Sequence, residues 1–358
     1  MVTKIDITSF LELAGMHPIL DVRSPSEYSH AHMPYAHNMP LFTDEERKVV
    51  GTAYKQQNRQ IAIKIGLDYF GPKMRRMVED AEEILKQHHT HKKQTVNTLL
   101  VHCWRGGMRS AGVAWLLDLY GYKVYTLAGG YKAYRQWVLQ QFLHPYTFRV
   151  LGGYTGSGKT YLLQQLMLRR QTVIDLEGIA HHKGSAFGAL GNLPQPSQEQ
   201  FENNLAAALV KAGTANQDST IWVEDESRRI GDVNLPEALW NKMRLAPVYF
   251  LDIPFEERLD FLVKEYGKFK KEELASNIMR LRKRLGGLET KNAIGYLIEG
   301  NFSACFGILL RYYDKVYKNG LYNREDVEHL LNTLPCNTVD PVTNSRILLN
   351  LIDNNNQL

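Results

Sequence analysis

The residues best suited to chemistry lie in two short glycine-rich loops. The first is Cys103-Trp104-Arg105-Gly106-Gly107-Met108-Arg109-Ser110. Before it, Thr98 to His102 is an apolar, β-branched run with the pattern of a buried strand; after it, Val113, Leu116, Leu117 and Tyr120 recur at helical spacing. A cysteine between a strand and a helix N-terminus faces backbone N–H groups and the positive end of the helix dipole, and Arg105 and Arg109 add full charges. Each favours the thiolate: a free cysteine of pKa ~8.5 falls to roughly 3.5–7.5 in such a setting. A packing role for Cys103 would need neither the glycines nor the arginines. The sequence therefore predicts a nucleophile in a loop that cradles an oxyanion, so that a group bound at sulfur could carry sulfur, selenium or phosphate.

The second loop is Gly152-Gly153-Tyr154-Thr155-Gly156-Ser157-Gly158-Lys159-Thr160, between a strand-like Phe148-Arg149-Val150-Leu151 and a leucine-rich helical stretch from Tyr161 to Arg169. Gly153-x4-Gly158-Lys159-Thr160 is a Walker A pattern. Gly153, Gly156 and Gly158 let backbone N–H groups, that of Ser157 included, wrap a phosphate; Lys159 reaches its outer oxygens and Thr160 can hold magnesium. The pattern permits a magnesium ion without requiring one.

Acids at the ends of apolar runs are the further candidates in this half: Asp175 after Thr172-Val173-Ile174, and Glu224, Asp225 and Glu226 after Thr220-Ile221-Trp222-Val223. Such acids hold magnesium through water or activate one in P-loop proteins, or merely cap a helix; the sequence does not choose among them. Arg228 and Arg229 follow at once. Arg280, Lys283 and Arg284 share a helix face, and aromatics interleave with charge from Arg311 to Lys318, as on nucleic-acid-binding surfaces. His88, His89, His91, His181 and His182 lack cysteine or paired acidic partners at ligand spacing, so no metal site is predicted.

These features need positioning elements. The chain has 358 residues, enough for two domains, with 44% hydrophobic and 23% charged residues. Asp21-Val22-Arg23 ends a strand; Ser24-Pro25-Ser26-Glu27 opens a helix with a capping-box spelling. Met74 to Gln87 is expected to be helical, His88 to Thr95 a polar loop, Lys123 to Leu127 a strand and Tyr131 to Gln140 a helix. Strands alternating with helices predict α/β architecture: a parallel-sheet domain over residues 1–142, then a P-loop NTPase-like α/β domain over 146–358 whose part from about 255 onward is helical and basic. Cys305 and Cys336 are expected in the core, Thr172 to Leu176 as a strand, and Asp353 to Leu358 as a frayed end. Three cysteines and no uninterrupted apolar leader or span point to a cytoplasmic protein with no membrane partner. Net charge +5 and pI near 8.9 allow a polyanionic partner.

Over roughly residues 5–140 the chain resembles a rhodanese domain, on Asp21-Val22-Arg23-Ser24-Pro25, His32-Met33-Pro34 with Asn38-Met39-Pro40, the cysteine loop, and Leu127-Ala128-Gly129-Gly130-Tyr131. The resemblance implies a rhodanese-like parallel sheet and a persulfide-carrying cysteine at Cys103. The loop departs from single-domain rhodaneses: five residues separate Cys103 from Arg109 where four are usual. His102-Cys103-x5-Arg109 is the phosphatase-like spelling, and a longer loop suits phosphate or a heavier chalcogen. Fusion of such a domain to a P-loop domain, together with Trp222-Val223-Glu224-Asp225-Glu226-Ser227, resembles the tRNA 2-selenouridine synthase family over nearly the whole chain. That resemblance implies a transferase acting on tRNA with 2-thiouridine at the wobble position. Geranyl diphosphate would alkylate the sulfur, and selenophosphate, which its synthetase could deliver, would then supply selenium. Both are substrates; no tightly bound cofactor is implied. The P-loop would grip the diphosphate. Cys103 would take selenium as a selenylsulfide, with Trp104 to Ser110 around the donor and Arg105 and Arg109 on its phosphate. Two competitors remain: a P-loop kinase or ATPase with a regulatory rhodanese domain, and a phosphatase using the cysteine loop.

Overall fold

The computed structural model describes residues 1–92, 97–191, 193–215 and 220–355. The chain divides into two compact units, Met1–Gln141 and Phe142–Leu358.

The first unit runs β1 (Thr3–Ile5), α1 (Ile7–Ala14), β2 (Ile19–Asp21), α2 (Pro25–His30), β3 (Ala36–Asn38), α3 (Asp44–Gln56), α4 (Arg59–Phe70), α5 (Met74–Lys92), β4 (Thr98–His102), α6 (Met108–Tyr120), β5 (Lys123–Leu127) and α7 (Gly130–Gln141). Its five strands are all parallel, in the order β1-β5-β4-β2-β3. β4 is central and buried throughout, which is why it spells an unbroken apolar run. Leu99 and Val101 pack with Met77, Ala81 and Leu85 of α5 and with Val113 and Leu117 of α6. The register sets Asp21 opposite His102, so the ends of β2 and β4 bring their polar residues together beneath the cysteine loop. Ser24 caps α2 as expected, its N–H donating to Glu27 Oε2 at 3.1 Å. The helix over residues 74–87 is longer than its pattern suggested: α5 continues through His88 to Lys92, where a loop was expected. The remainder of that expected loop, and the side chains of His89 and His91, lie outside the described residues.

The second unit holds β6 (Phe148–Gly153), α8 (Lys159–Leu168), α9 (Leu176–Ala180), α10 (Gln198–Ala215), β7 (Ile221–Glu224), the short β8 (Arg229–Ile230) and β9 (Val233–Asn234), α11 (Glu237–Arg244), β10 (Val248–Asp252), α12 (Phe255–Tyr266), α13 (Lys271–Leu285), α14 (Gly287–Glu299), α15 (Phe302–Tyr322), α16 (Val327–Leu330), β11 (Leu331–Pro335) and α17 (Pro341–Asn355). Four parallel strands form its main sheet, in the order β11-β10-β6-β7. Three expectations are corrected here. Thr172 to Leu176 is no strand: only Val173 bridges to Trp222, because the chain turns at once into α9. The region from about 255 is not wholly helical, since β11 pairs with β10 along its whole length. The expected frayed end is helical through Asn355, and residues 356–358 lie outside the described residues. Between β10 and β11, α12 to α15 close around their own core of Leu259, Ile278, Leu281, Leu297 and Leu309, with Cys305 fully buried in it. Cys336 is buried too, in the core beneath the P-loop.

Candidate active sites

Cys103 leaves the end of β4 and the chain turns through Gly106 and Gly107 into α6. The turn is possible only because of glycines. At Gly106 (φ +61°) an added Cβ would lie 2.4 Å from the Leu127 carbonyl oxygen; at Gly130 (φ +61°) it would lie 2.3 Å from the Cys103 carbonyl oxygen. The start of α7 ties the loop down: Tyr131 N–H donates to Cys103 O at 2.8 Å and Lys132 N–H to Trp104 O at 3.0 Å. Cys103 is 3% exposed, its Sγ 3.2 Å from Ser110 Oγ. Burial pushes the thiol up. The hydroxyl and N–H of Ser110, the N–H of Gly107 and the charge of Arg109 outweigh it and hold the thiol below its ordinary range.

The two arginines are not alike. Arg105 is exposed, whereas Arg109 grips Glu27, with Nη1 donating to Oε2 at 2.7 Å. Arg47 pairs with the same carboxylate at 3.0 Å. Burial raises the Glu27 carboxyl, but the hydrogen bonds and charges of Arg109, the N–H of Ser24 and the charge of Arg47 prevail and bring it down to about 2. Arg109 thus reaches Cys103 as a charge, while its hydrogen bonds go to Glu27. The capping-box glutamate is the brace of the cysteine loop, a role its spelling did not show. Beneath the loop Arg23 is fully buried, paired with Asp21 at 2.6 Å and stacked over Tyr131 at 3.8 Å. His102 is buried and its pKa is lowered, first by burial. Trp104 and Met108 are exposed at the mouth of the loop.

In the second unit β6 ends at Gly153, and Gly156 (φ +81°) and Gly158 (φ +72°) take conformations that side chains resist. Lys159 folds back so that Nζ donates to Gly153 O at 2.8 Å. Thr160 Oγ1 donates to Glu177 Oε2 at 3.0 Å. Glu177 was not singled out by the sequence, although it follows the candidate Asp175 by two positions. The four candidate acids separate clearly. Asp175 accepts from Gly178 N–H at 2.7 Å and caps α9. Asp225 is committed to structure, accepting from Tyr317 Oη at 2.7 Å and from Arg324 Nη2. Glu224 is fully buried and accepts from Leu176 N–H at 3.1 Å, which leaves Glu226 facing the charge of Lys159. Burial raises both carboxyls, and the charges of Asp175 and Glu177 push Glu224 further, those of Glu177 and Glu224 push Glu226. Thr160, Glu177 and Glu226 supply the oxygen donors magnesium favours. Among the described residues, however, no group of three or more acids, histidines or cysteines is arranged to hold a metal.

Two more residues brace this loop: Arg258, which the sequence did not single out, and Tyr317, which it groups with the Arg311 to Lys318 aromatics as nucleic-acid surface but which turns inward to Gly153 and Asp225. Arg258, 3% exposed, donates to Thr155 O at 3.0 Å and forms a bidentate pair with Asp314, both bonds at 2.8 Å. Tyr317 Oη accepts from Gly153 N–H at 3.1 Å.

Comparison with known proteins matches both halves. Residues 7–136 fit a rhodanese-like domain and residues 146–332 the tRNA 2-selenouridine synthase AAA domain. The tRNA 2-selenouridine synthase of Shewanella piezotolerans is 38% identical over 77% of this chain and 77% of its own length. The protein of the same name from Hydrogenovibrio crunogenus is 36% identical over 75% of this chain and 76% of its own, and that from Nitrosomonas europaea 37% identical over 70% and 63%. The chain belongs to the tRNA 2-selenouridine synthase family.

In this member of the family the candidate tRNA-contacting cations are all exposed. Arg280, Lys283 and Arg284 project from α13; Arg228 pairs with Glu237 at 3.2 Å and Arg229 with Asp232 at 3.3 Å. Among the described residues no helix is long and apolar enough to cross a membrane.

Proposed function

We propose that this chain exchanges sulfur for selenium in wobble 2-thiouridine of tRNA, by geranylation from geranyl diphosphate followed by selenation from selenophosphate. The observation that supports it best is the pairing in one chain of two distinct oxyanion-shaped loops, one holding a depressed thiol and one a lysine. In the first step the thiocarbonyl sulfur attacks C1 of the geranyl group, the C–O bond breaks and diphosphate leaves. Lys159 and the N–H groups of Gly156 to Thr160 stabilise that departing charge.

In the second step the selenium of selenophosphate attacks C2 of the base. The C2–Se bond forms, the C2–S bond breaks, and geranylthiolate leaves and takes up a proton. A selenylsulfide on Cys103, the role implied by the synthase resemblance, would require phosphorus to depart two electrons reduced. The loop suits another use of the thiolate: attack at phosphorus of the phosphoryl–selenium adduct, forming S–P, breaking P–Se and releasing 2-selenouridine, after which water cleaves the S–P bond. Loop N–H groups and Arg105 hold the phosphoryl oxygens. The exposed cations of α13, with Arg228 and Arg229, take the tRNA backbone.

The test is mass spectrometry of nucleosides from thiolated tRNA incubated with the protein, geranyl diphosphate and selenophosphate. Geranylated and then selenium-containing uridine is the expected result. Unchanged tRNA, with intact donors and folded protein, would transfer the proposal to a P-loop kinase or ATPase, checked by ATP turnover without tRNA; hydrolysis of aryl phosphates would favour the phosphatase.

A further inference from the structure

Residues 41–73 carry no motif, yet α3 and α4 build a large concavity in the first unit. Thr43 caps α3 in a box with Glu46, and Asn58 caps α4 by accepting from Ile61 N–H at 2.9 Å. The two helices bury little of their apolar surface. Tyr54 is 54% exposed and Leu67 58%; from α6, Met108 is 48% and Trp115 53% exposed. Single exposed apolar residues need no explanation, but these line one groove of about 790 Å³, the size of a small-molecule site.

The groove has three further properties. It ends at Arg105, Met108 and Arg109, so its head is the cysteine loop. Its charged lining is wholly cationic: Arg47, Lys48 and Lys55 join the two loop arginines, and among the described residues no carboxylate lines it. Its walls contain three glycines inside helices: Gly51 of α3, Gly66 of α4 and Gly112 of α6. Glycine weakens a helix interior, and none of these three has the positive φ that would demand it. A Cβ at Gly51 would meet nothing within 4 Å, and one at Gly112 only Phe70 at 3.8 Å. Neither backbone conformation nor tight packing accounts for these two glycines; what they leave is room.

An apolar trough with a cationic rim and no acid fits a hydrocarbon chain attached to a polyanion. We propose that the groove receives the ten-carbon geranyl chain of the S-geranylated base while selenium exchange proceeds at the cysteine loop. This rests on the reading that S-geranyl-2-thiouridine in tRNA is the intermediate. Seated there, the chain brings C2 of the base to the loop mouth. When the C2–S bond breaks, the electron pair stays on a sulfur beside Arg105 and Arg109, and the geranylthiolate leaves with its tail still in the groove. The diphosphate of the first step belongs to the P-loop and makes no claim on this surface.

The test uses the full-length protein and synthetic anticodon hairpins carrying S-geranyl-2-thiouridine, S-methyl-2-thiouridine or 2-thiouridine. The wild type is expected to bind the S-geranyl hairpin roughly tenfold or more tighter than either other hairpin, because only that ligand buries a chain. Gly51→Phe and Gly112→Leu fill the trough, and Leu67→Glu places a charge in it from an exposed position where folding is not at stake. Each should erase the preference while leaving affinity for the 2-thiouridine hairpin within about twofold. Equal wild-type affinity for all three hairpins overturns the proposal, as does a preference that survives all three substitutions; the groove would then belong to another apolar ligand or a protein partner. Failure of the functional reading looks different, since it is wild-type protein that forms neither modified nucleoside from tRNA and both donors.

Discussion

The two loops follow one plan, strand then glycine turn then helix, and differ in where they place acids. At the cysteine loop the carboxylate of Glu27 is tied to Arg109 and Arg47. At the P-loop, Glu177 bonds Thr160, and Glu177 and Glu226 both face the charge of Lys159. The first arrangement leaves positive charge near Cys103 and holds its thiol below the ordinary range. The second sets carboxyls raised by burial beside the lysine of the Walker pattern. Under the proposed function the first arrangement suits attack and the second the departure of a leaving group.

The sharpest way to break this comparison is to disable each loop separately. Cys103→Ala is expected to lower selenium incorporation by ~10³ or more and leave geranylation unchanged. Lys159→Ala is expected to cost roughly 10²–10³ in geranylation and to spare selenation of RNA already geranylated. Nucleoside mass spectrometry reads both, and equal loss of both steps in both variants would refute the division of labour.

Next in size are the glycines. Gly130→Ala drives a Cβ into backbone atoms at 2.3 and 2.4 Å, whereas at Gly158 the near atom is a Val339 methyl at 2.7 Å, a side chain that can move. Chemical denaturation should show a loss of about 3 kcal/mol for Gly130→Ala and about 1–2 kcal/mol for Gly158→Ala. Reversal of that order would mean that the P-loop is the more rigid of the two.

The pH responses should run in opposite senses. The folded Glu27 value of about 2 lies below the ordinary 4.5, so its contribution is complete above pH 4.5 and is lost as pH falls toward 2. Glu27→Gln should flatten that acid limb in a melting series. The folded Glu224 value is raised, so that residue costs stability as pH climbs beyond the ordinary carboxylate range. Glu224→Gln should melt roughly 2–4 °C above wild type at pH 8 and level with it near pH 4. The smallest effect concerns α13: removing Arg280, Lys283 or Arg284 should flatten the slope of log affinity for tRNA against log salt by roughly 0.7–0.9 for each phosphate that the variant no longer neutralises.

What the sequence disclosed follows from how local each feature is. Both loops, the caps on α2 and α8's start were legible because a spacing of a few residues specifies them. The partners that brace them were not. Glu27 meets Arg109 across 82 positions, and Tyr317 meets Gly153 across 164. Nothing in the spelling of either segment encodes such a pairing. The α3–α4 pair was missed for another reason: its apolar residues face a groove as well as a core, so the clean helical stripe that marks an ordinary amphipathic helix is absent. β11 escaped because Leu331 to Pro335 is a short edge strand with only Leu334 buried.

That edge strand governs the order in which the protein can come into being. The first sheet has its last strand by Leu127, early in synthesis. The second sheet waits for Leu331, since β11 must lie beside β10 and α17 must then pack on α8, the helix that starts at the P-loop lysine. At translation speeds of ~5–20 residues per second the gap is roughly 10–40 s. A ribosome that stalls anywhere in the helical region therefore releases a chain with a finished thiol loop and a phosphate loop that still lacks β11 of its sheet and the helix α17 packed on α8.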